Sequence, residues 1–352
     1  MTRLLLCTRA LRAFADGLVA VLLPAYLLAL GHGQLAVGLL STAALLGSAL
    51  ATLAVGRWAH RFPIRGLLLG AALLMALTGL GFATLSALWP LLVVAFLGPI
   101  NPSGGDVSVF LPLEHTVLAG TTSSTSRTTA FARYSFVGSM AAAFGALAAA
   151  VPEWLTAHIG VSVLDAVRAM FMLYAAIGVL VWVLYRRLPR LPAGDAAQAP
   201  GRLGESRVTV WKLAGLFSVD AFAGGLVLNA LLALWLFERF GMSLAAAGAF
   251  FFWTGLFSAA SQLLAPRLAN RIGLLKTMVF THIPSSLFLI AAAFAPTLPV
   301  ALGLLLARSA LSQMDVPTRN AYVMSVVTPE ERAAAASFTA VPRSLAATIS
   351  PS

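Results

Sequence analysis

Four aspartates stand inside otherwise apolar stretches of this chain: Asp16, Asp106, Asp220 and Asp315. A carboxylate taken out of water holds its proton more tightly, so an acid in such a place can take up and release a proton in turn. Asp16 is the first candidate for that proton-coupling chemistry and Asp220 the second. A plainer reading of Asp16 stands beside it: one helical turn beyond Arg12, it pairs with that guanidinium and anchors the segment. Arg308, Ser312, Asp315 and Arg319 follow at spacings of 4, 3 and 4 residues, with Gln313 beside them, which puts the four on one face of a helix. Arg308 is the one basic residue near the middle of an apolar span. It needs an anion, either an acid such as Asp315 or Asp106 or the substrate itself, and in the second case the substrate is anionic or zwitterionic. Gly98 to Gly105 holds two prolines and three glycines among its residues. Such a stretch breaks a helix and frees backbone carbonyls, so Asn101 and Ser103 are either cavity contacts or part of a packing kink. Asn229 is a further polar candidate for a cavity wall, and Gln262 a weaker one.

Other chemistry is missing from the sequence. It has no Gly-x-x-x-x-Gly-Lys-Ser/Thr loop to cradle phosphates, no nucleophile elbow and no metal-ligand spacing among its histidines, so neither an enzyme nor a bound metal or cofactor is expected. His32, His115, His158 and His282 read as structural residues at or near span ends. Cys7 is a lone cysteine, which excludes a disulfide within the chain.

The elements that must carry these residues are membrane helices. The chain is 60% hydrophobic and 10% charged, with a mean hydropathy of +0.91, where soluble domains carry roughly a quarter charged residues. Spans of about 20 apolar residues are expected near 10–31, 36–57, 65–87, 89–111, 131–151, 165–185, 211–237, 244–265, 277–296, 298–320 and from 337 onward, eleven in all. Runs such as Ala71 to Leu77 lack the alternation of a β-barrel strand. The net charge of +11 sits in short basic runs between spans, which makes it a topology signal and not a nucleic-acid surface. Because those runs fall in alternate loops, the amino terminus is expected in the cytoplasm.

The chain also repeats itself. The stretch from Gly56 to Gly66, with Arg57 and Arg61, returns from Pro266 to Lys276 with Arg267, Asn270 and Arg271, at an offset of 210. Gly31 and Gly38 return as Gly241 and Gly248, Asp106 as Asp315, and Arg133 as Arg343. Spacing kept over more than a hundred residues implies two tandem halves of one unit: a transmembrane bundle over 1–185, a cytoplasmic linker over 186–210 and a second bundle over 211–352. The second half is expected to lack a partner for span six, which reads as a carboxyl-terminal truncation.

The repeated basic turn resembles the loop 2–3 signature of the major facilitator superfamily, and Val327-Thr328-Pro329-Glu330-Glu331-Arg332 resembles the loop joining spans ten and eleven there. Asp16 followed by Pro24 is similar to the span-one Asp-x7-Pro pattern of that superfamily's drug–proton antiporters. Two departures stand out: His60 and Asn270 replace the usual acid of the loop, and Pro63 replaces the usual glycine. The resemblance implies an all-α integral membrane fold of two six-helix bundles, here with the second incomplete, rocking about a cavity lined by spans one, four, seven and ten. It also implies that Asp106 meets Arg61 and Asp315 meets Arg271 to shut the cytoplasmic side, with Arg57, Arg133, Arg267, Arg319 and Arg343 in the same charge network.

The function expected from this is secondary active transport by alternating access, in the form of proton-coupled efflux of small amphipathic or toxic compounds. The alternatives are a proton-coupled uptake symporter for a small metabolite and a transport-inactive sensor or degenerate paralogue. The expected partners are the lipid bilayer, a small-molecule substrate and protons, with no nucleic acid, for a monomer crossing a bacterial inner membrane many times.

Overall fold

The computed structural model describes residues 1–58, 61–103, 108–121, 124–189, 204, 206–328, 331, 335, 338, 339, 342 and 346. Among them all regular structure is helical, as a lipid surround demands: only a helix or a closed barrel satisfies its own backbone groups there. The helices are α1 (Thr2–Ala29), α2 (Gln34–Trp58), α3 (Ile64–Thr84), α4 (Leu88–Leu97), α5 (Phe110–Thr121), α6 (Ser124–Ala148), α7 (Val151–Ile159) and α8 (Val163–Tyr185). There follow α9 (Arg207–Gly225), α10 (Asn229–Phe240), α11 (Leu244–Ile272), α12 (Leu274–Ala293), α13 (Leu298–Ser312) and α14 (Asp315–Ser325).

Eight stretches among the described residues are long and apolar enough to cross a membrane. The expected fourth and tenth spans are instead each made of two short helices, α4 with α5 and α13 with α14. The expected seventh is also divided, α9 from α10, at Leu226 to Leu228. Most of the expected eleventh span, Arg343 included, lies outside the described residues, as do Asp106 and the stretch 190–203 within the expected linker.

Two boundaries differ from the sequence expectation. Helix α5 carries on to Thr121, beyond the expected end of span four, because Pro112 sits in its first turn, where proline breaks no hydrogen bond. Helix α11 runs through Pro266 to Ile272, so most of the second basic stretch is helix, and the chain turns only at Gly273, at φ 90°. The repeated glycines Gly31 and Gly241 both follow a helix end with positive φ, 80° and 60°, a conformation other residues resist.

Small residues set the crossings. Helix α1 lies along α6 with Gly17 against the Ala142 carbonyl and Gly145 against that of Phe14. Helix α3 lies along α8 in the same way through Gly79 and Gly178. Bare glycines let backbones meet where lipid offers no hydrophobic drive for association. Around these crossings Tyr26, Phe82 and Phe171 form an aromatic core, and the Tyr26 hydroxyl lies 2.6 Å from the Phe82 carbonyl oxygen. Helix α11 packs against α6 on one side and α13 on the other, which brings early and late segments of the chain to one centre.

Candidate functional site

At that centre is a cavity of about 240 Å³. Helix α1 supplies Arg9, Asp16 and Gly17, α6 supplies Gly138 and Ser139, and the break after α4 supplies Ser103. From the other half come Asn229 at the start of α10, Thr254, Ser258 and Gln262 of α11, Arg308 and Ser312 of α13, and Gln313 in the break after it. The three interrupted spans thus each bring a polar side chain to the cavity at or beside their interruption, where helix ends leave backbone groups unpaired. Asn101 is buried just behind the wall. Its Oδ1 accepts hydrogen bonds from the Ser103 backbone N–H at 3.1 Å and from the Ser103 hydroxyl at 2.6 Å, so it aims Ser103.

The cavity wall is held unevenly. Ser258 donates to the Ser309 carbonyl at 3.5 Å, tying α11 to α13, and Thr254 donates to the Phe251 carbonyl at 2.9 Å. Arg9 places its guanidinium 5.1 Å from the centre of the Tyr134 ring. Asn229, Gln262, Arg308, Ser312 and Gln313, by contrast, make no side-chain hydrogen bond or ion pair with any described residue.

Two charged clusters flank the cavity. In the first, Glu114 of α5 is fully buried and accepts from four donors: Thr8 at 2.8 Å, Tyr185 at 2.6 Å, Tyr134 and Arg12. The Arg12 guanidinium, 2% exposed, also lies over the Phe110 ring at 4.2 Å. One fully buried carboxylate therefore binds α1, α5, α6 and α8 together. In the second, Arg319 of α14 reaches Asp220 of α9 and Asp315 of its own helix, each at 3.1 Å. His282 of α12 meets the other oxygen of Asp220 at 3.1 Å. Two carboxylates share one buried arginine there, and three helices are tied by them.

Outside the spans, Glu331 accepts from the Gly204 and Ser206 backbone N–H groups, the latter at 3.2 Å, while Thr328 N–H donates to the Ser206 hydroxyl at 3.4 Å. Hydrogen bonding, that of the Ser206 side chain foremost, holds the Glu331 carboxyl below the usual carboxylate range.

The structure thus gathers Asp16, Ser103, Asn229, Arg308, Ser312 and Gln313 around one space and puts Asp220 elsewhere, with Asp315 and Arg319. Asp315 takes Arg319 as its partner, while Arg271 is exposed at the end of α11, as are Arg267 and Asn270 near it. Arg61 and Arg133 are exposed too, and Arg57 lies on α2 with its side chain outside the described part. Sequence reasoning missed Glu114, because it ended span four too early. The signal was available: Arg12 in an apolar span requires an acid, and Glu114 stands three residues beyond the expected end of span four. It also read His282 as structural, where the structure seats it on Asp220.

A family model described as Major Facilitator Superfamily matches residues 5–351. An uncharacterized membrane protein of Saccharomyces cerevisiae, YJR124C, is 24% identical over 369 residues, covering 94% of this chain and 81% of that protein. Among solved structures, the xylose transporter XylE from E. coli in its inward open conformation superposes with a TM-score of 0.73 at 16% identity, covering 100% of this chain and 89% of that one. The nucleoside transporter NupG gives 0.73 at 15%, covering 99% and 89%. A bacterial homologue of the human lysosomal transporter Spinster gives 0.73 at 17%, covering 99% and 80%.

Proposed function

The chain belongs to the major facilitator superfamily, and we propose that it carries a small polar solute together with protons by alternating access through the central cavity. The observation that carries this is the cavity wall itself. Asn229, Gln262, Arg308, Ser312 and Gln313 converge on it with no side-chain hydrogen bond to any described residue, and Arg9, Asp16 and Ser103 face them across the cavity.

The wall favours proton-coupled uptake of a metabolite over export of amphipathic compounds. Phe251 is its one aromatic residue among the described residues, and about 240 Å³ falls below the roughly 300–1,000 Å³ of pockets that hold drug-sized ligands. A polyspecific exporter would need a broader apolar surface. In this proposal Asp16 is the proton carrier and the halves 1–185 and 211–352, joined by the linker 186–210, rock about the cavity in a monomer whose amino terminus is cytoplasmic. Asp220 then serves the ion cluster that ties α9, α12 and α14.

Proteoliposomes holding the purified chain and an internal pH dye test the reading. With an inward proton gradient, adding a panel of sugars, nucleosides, amino acids and carboxylates is expected to give solute-dependent acidification for one class. If no solute moves in either direction, with or without a gradient, the chain is no carrier and the sensor reading takes its place.

A further inference from the structure

The arginines of the helix bundle differ in one respect. Arg12 is neutralised by Glu114, Arg319 by Asp220 and Asp315, and Arg168 stands by Asp165 at 4.0 Å and donates to the Ser86 hydroxyl at 2.7 Å. Arg9 lies over the Tyr134 ring. Arg308 alone of these has no carboxylate, carbonyl or ring partner among the described residues, although it is partly buried and lines the cavity. A guanidinium in a low-dielectric surround is costly until an anion meets it, and its planar fork of donors matches an oxyanion in two-point contact.

The neighbours of Arg308 suit the same task. Ser312 lies one turn along the same face of α13, Gln313 follows in the break, and Gln262 and Asn229 come from facing elements, all four without a side-chain partner among the described residues. The hydroxyl and the two amides with Asn229 offer donors to an anion's remaining oxygens. Among the described residues, the charged groups of the wall are Arg9, Arg308 and Asp16, two cations to one acid. Protonating Asp16 leaves only cations among them.

We infer that Arg308 is the recognition residue for an oxyanion group on the transported solute, so that the substrate is a small organic anion bearing a carboxylate or a phosphate. This rests on the transport reading above and names the class of solute for the same cavity. It also sets the direction of coupling: a proton on Asp16 removes the one negative charge among the wall's described residues, so each of proton and anion binds more tightly once the other is bound, and the two travel together.

Phenylglyoxal, which modifies accessible guanidiniums, reads the site directly. The purified full chain is treated with it in the presence of propionate, methyl phosphate or the uncharged isostere propionamide, and Arg308 modification is followed by peptide mass spectrometry, with exposed Arg61 and Arg271 as internal controls. One of the two anions is expected to slow modification of Arg308 about tenfold near ten times its Kd, while propionamide and the control positions show no change. Propionate alone protecting assigns a carboxylate, and methyl phosphate alone a phosphate. Protection by propionamide equal to that by the anions, or none by any probe, overturns the assignment.

Stability supplies a second arm. Arg308→Gln loses no partner, so its melting temperature in detergent should match the parent. A fall as large as that of a Glu114 variant would make Arg308 a structural cation and refute the inference. Flux separates this inference from its premise. Protection without any transport in liposomes removes the carrier reading and leaves the anion site. Transport of a neutral solute, unchanged by Arg308→Gln and with labelling indifferent to both anions, removes the site and leaves the carrier.

Discussion

Replacing Glu114 by Gln strands the Arg12 guanidinium in a pocket closed by Phe110, Tyr134 and Tyr185. Breaking one side of a buried pair costs about 3–5 kcal/mol, so Glu114→Gln should lower the unfolding midpoint in detergent markedly, and an unchanged midpoint would show that Arg12 had found other company. The cavity acid behaves differently. Asp16→Asn keeps size and hydrogen-bonding capacity while removing the titrating group, so insertion and folding should be unaffected and pH-gradient-driven flux should fall to that of empty liposomes. Undiminished gradient-driven flux from this variant would pass the proton-carrying role to another acid. The contrast is one of surroundings: Glu114 is met by four donors and fully buried, whereas Asp16 opens onto the cavity.

The elements explain how one bundle combines rigid and adaptable parts. The α1–α6 crossing is built on Gly17 and Gly145, and a β carbon at Gly17 would enter the Ala142 carbonyl. Gly17→Val therefore has to push two helices apart, at a cost of about 1–3 kcal/mol, read as a lower melting temperature and reduced yield of folded protein. Interrupted elements do the opposite work. The divided spans α4 with α5, α9 with α10 and α13 with α14 give up helical hydrogen bonds, and those near the cavity place Ser103, Asn229 and Gln313 on its wall. At the start of α9, the tie of Glu331 to Gly204 and Ser206 joins the segment before α9 to the one after α14. Its carboxyl titrates below the ordinary value of 4.5, so the tie is complete above that pH and is lost as the pH falls through Glu331's own, lower value. Amide exchange around 206–210 should accelerate in that acid range, and Glu331→Gln should show the faster exchange at every pH.

For the molecule as a whole, α6 and α11 meet across the centre, with Gly255 against the Ala143 side chain. A β carbon at Gly255 would stand 2.9 Å from that of Ala143, so Gly255→Val should force α6 and α11 apart and lower solute flux, and undiminished flux from folded protein would exclude rocking of the halves about this contact. How much of this was legible beforehand follows from what each property depends on. The sequence determined that the chain crosses a membrane many times, because hydropathy and span length are local quantities, and it singled out Asp16, Ser103, Asn229, Arg308, Ser312 and Gln313 because ionisable and amide groups in apolar spans stand out one by one, while Arg9, Thr254 and Ser258 of the same wall did not. It read Gly31 and Gly241 as equivalent, and both prove to turn the chain with positive φ. Pairing was another matter. That Arg12 meets Glu114, that Arg319 and not Arg271 meets Asp315, that His282 sits on Asp220 and that Arg308 meets no acid among the described residues was decided by the tertiary structure. Those contacts depend on the rotation of each helix about its axis and on where spans four, seven and ten break, which are set by glycine-lined crossings between segments about a hundred residues apart or more.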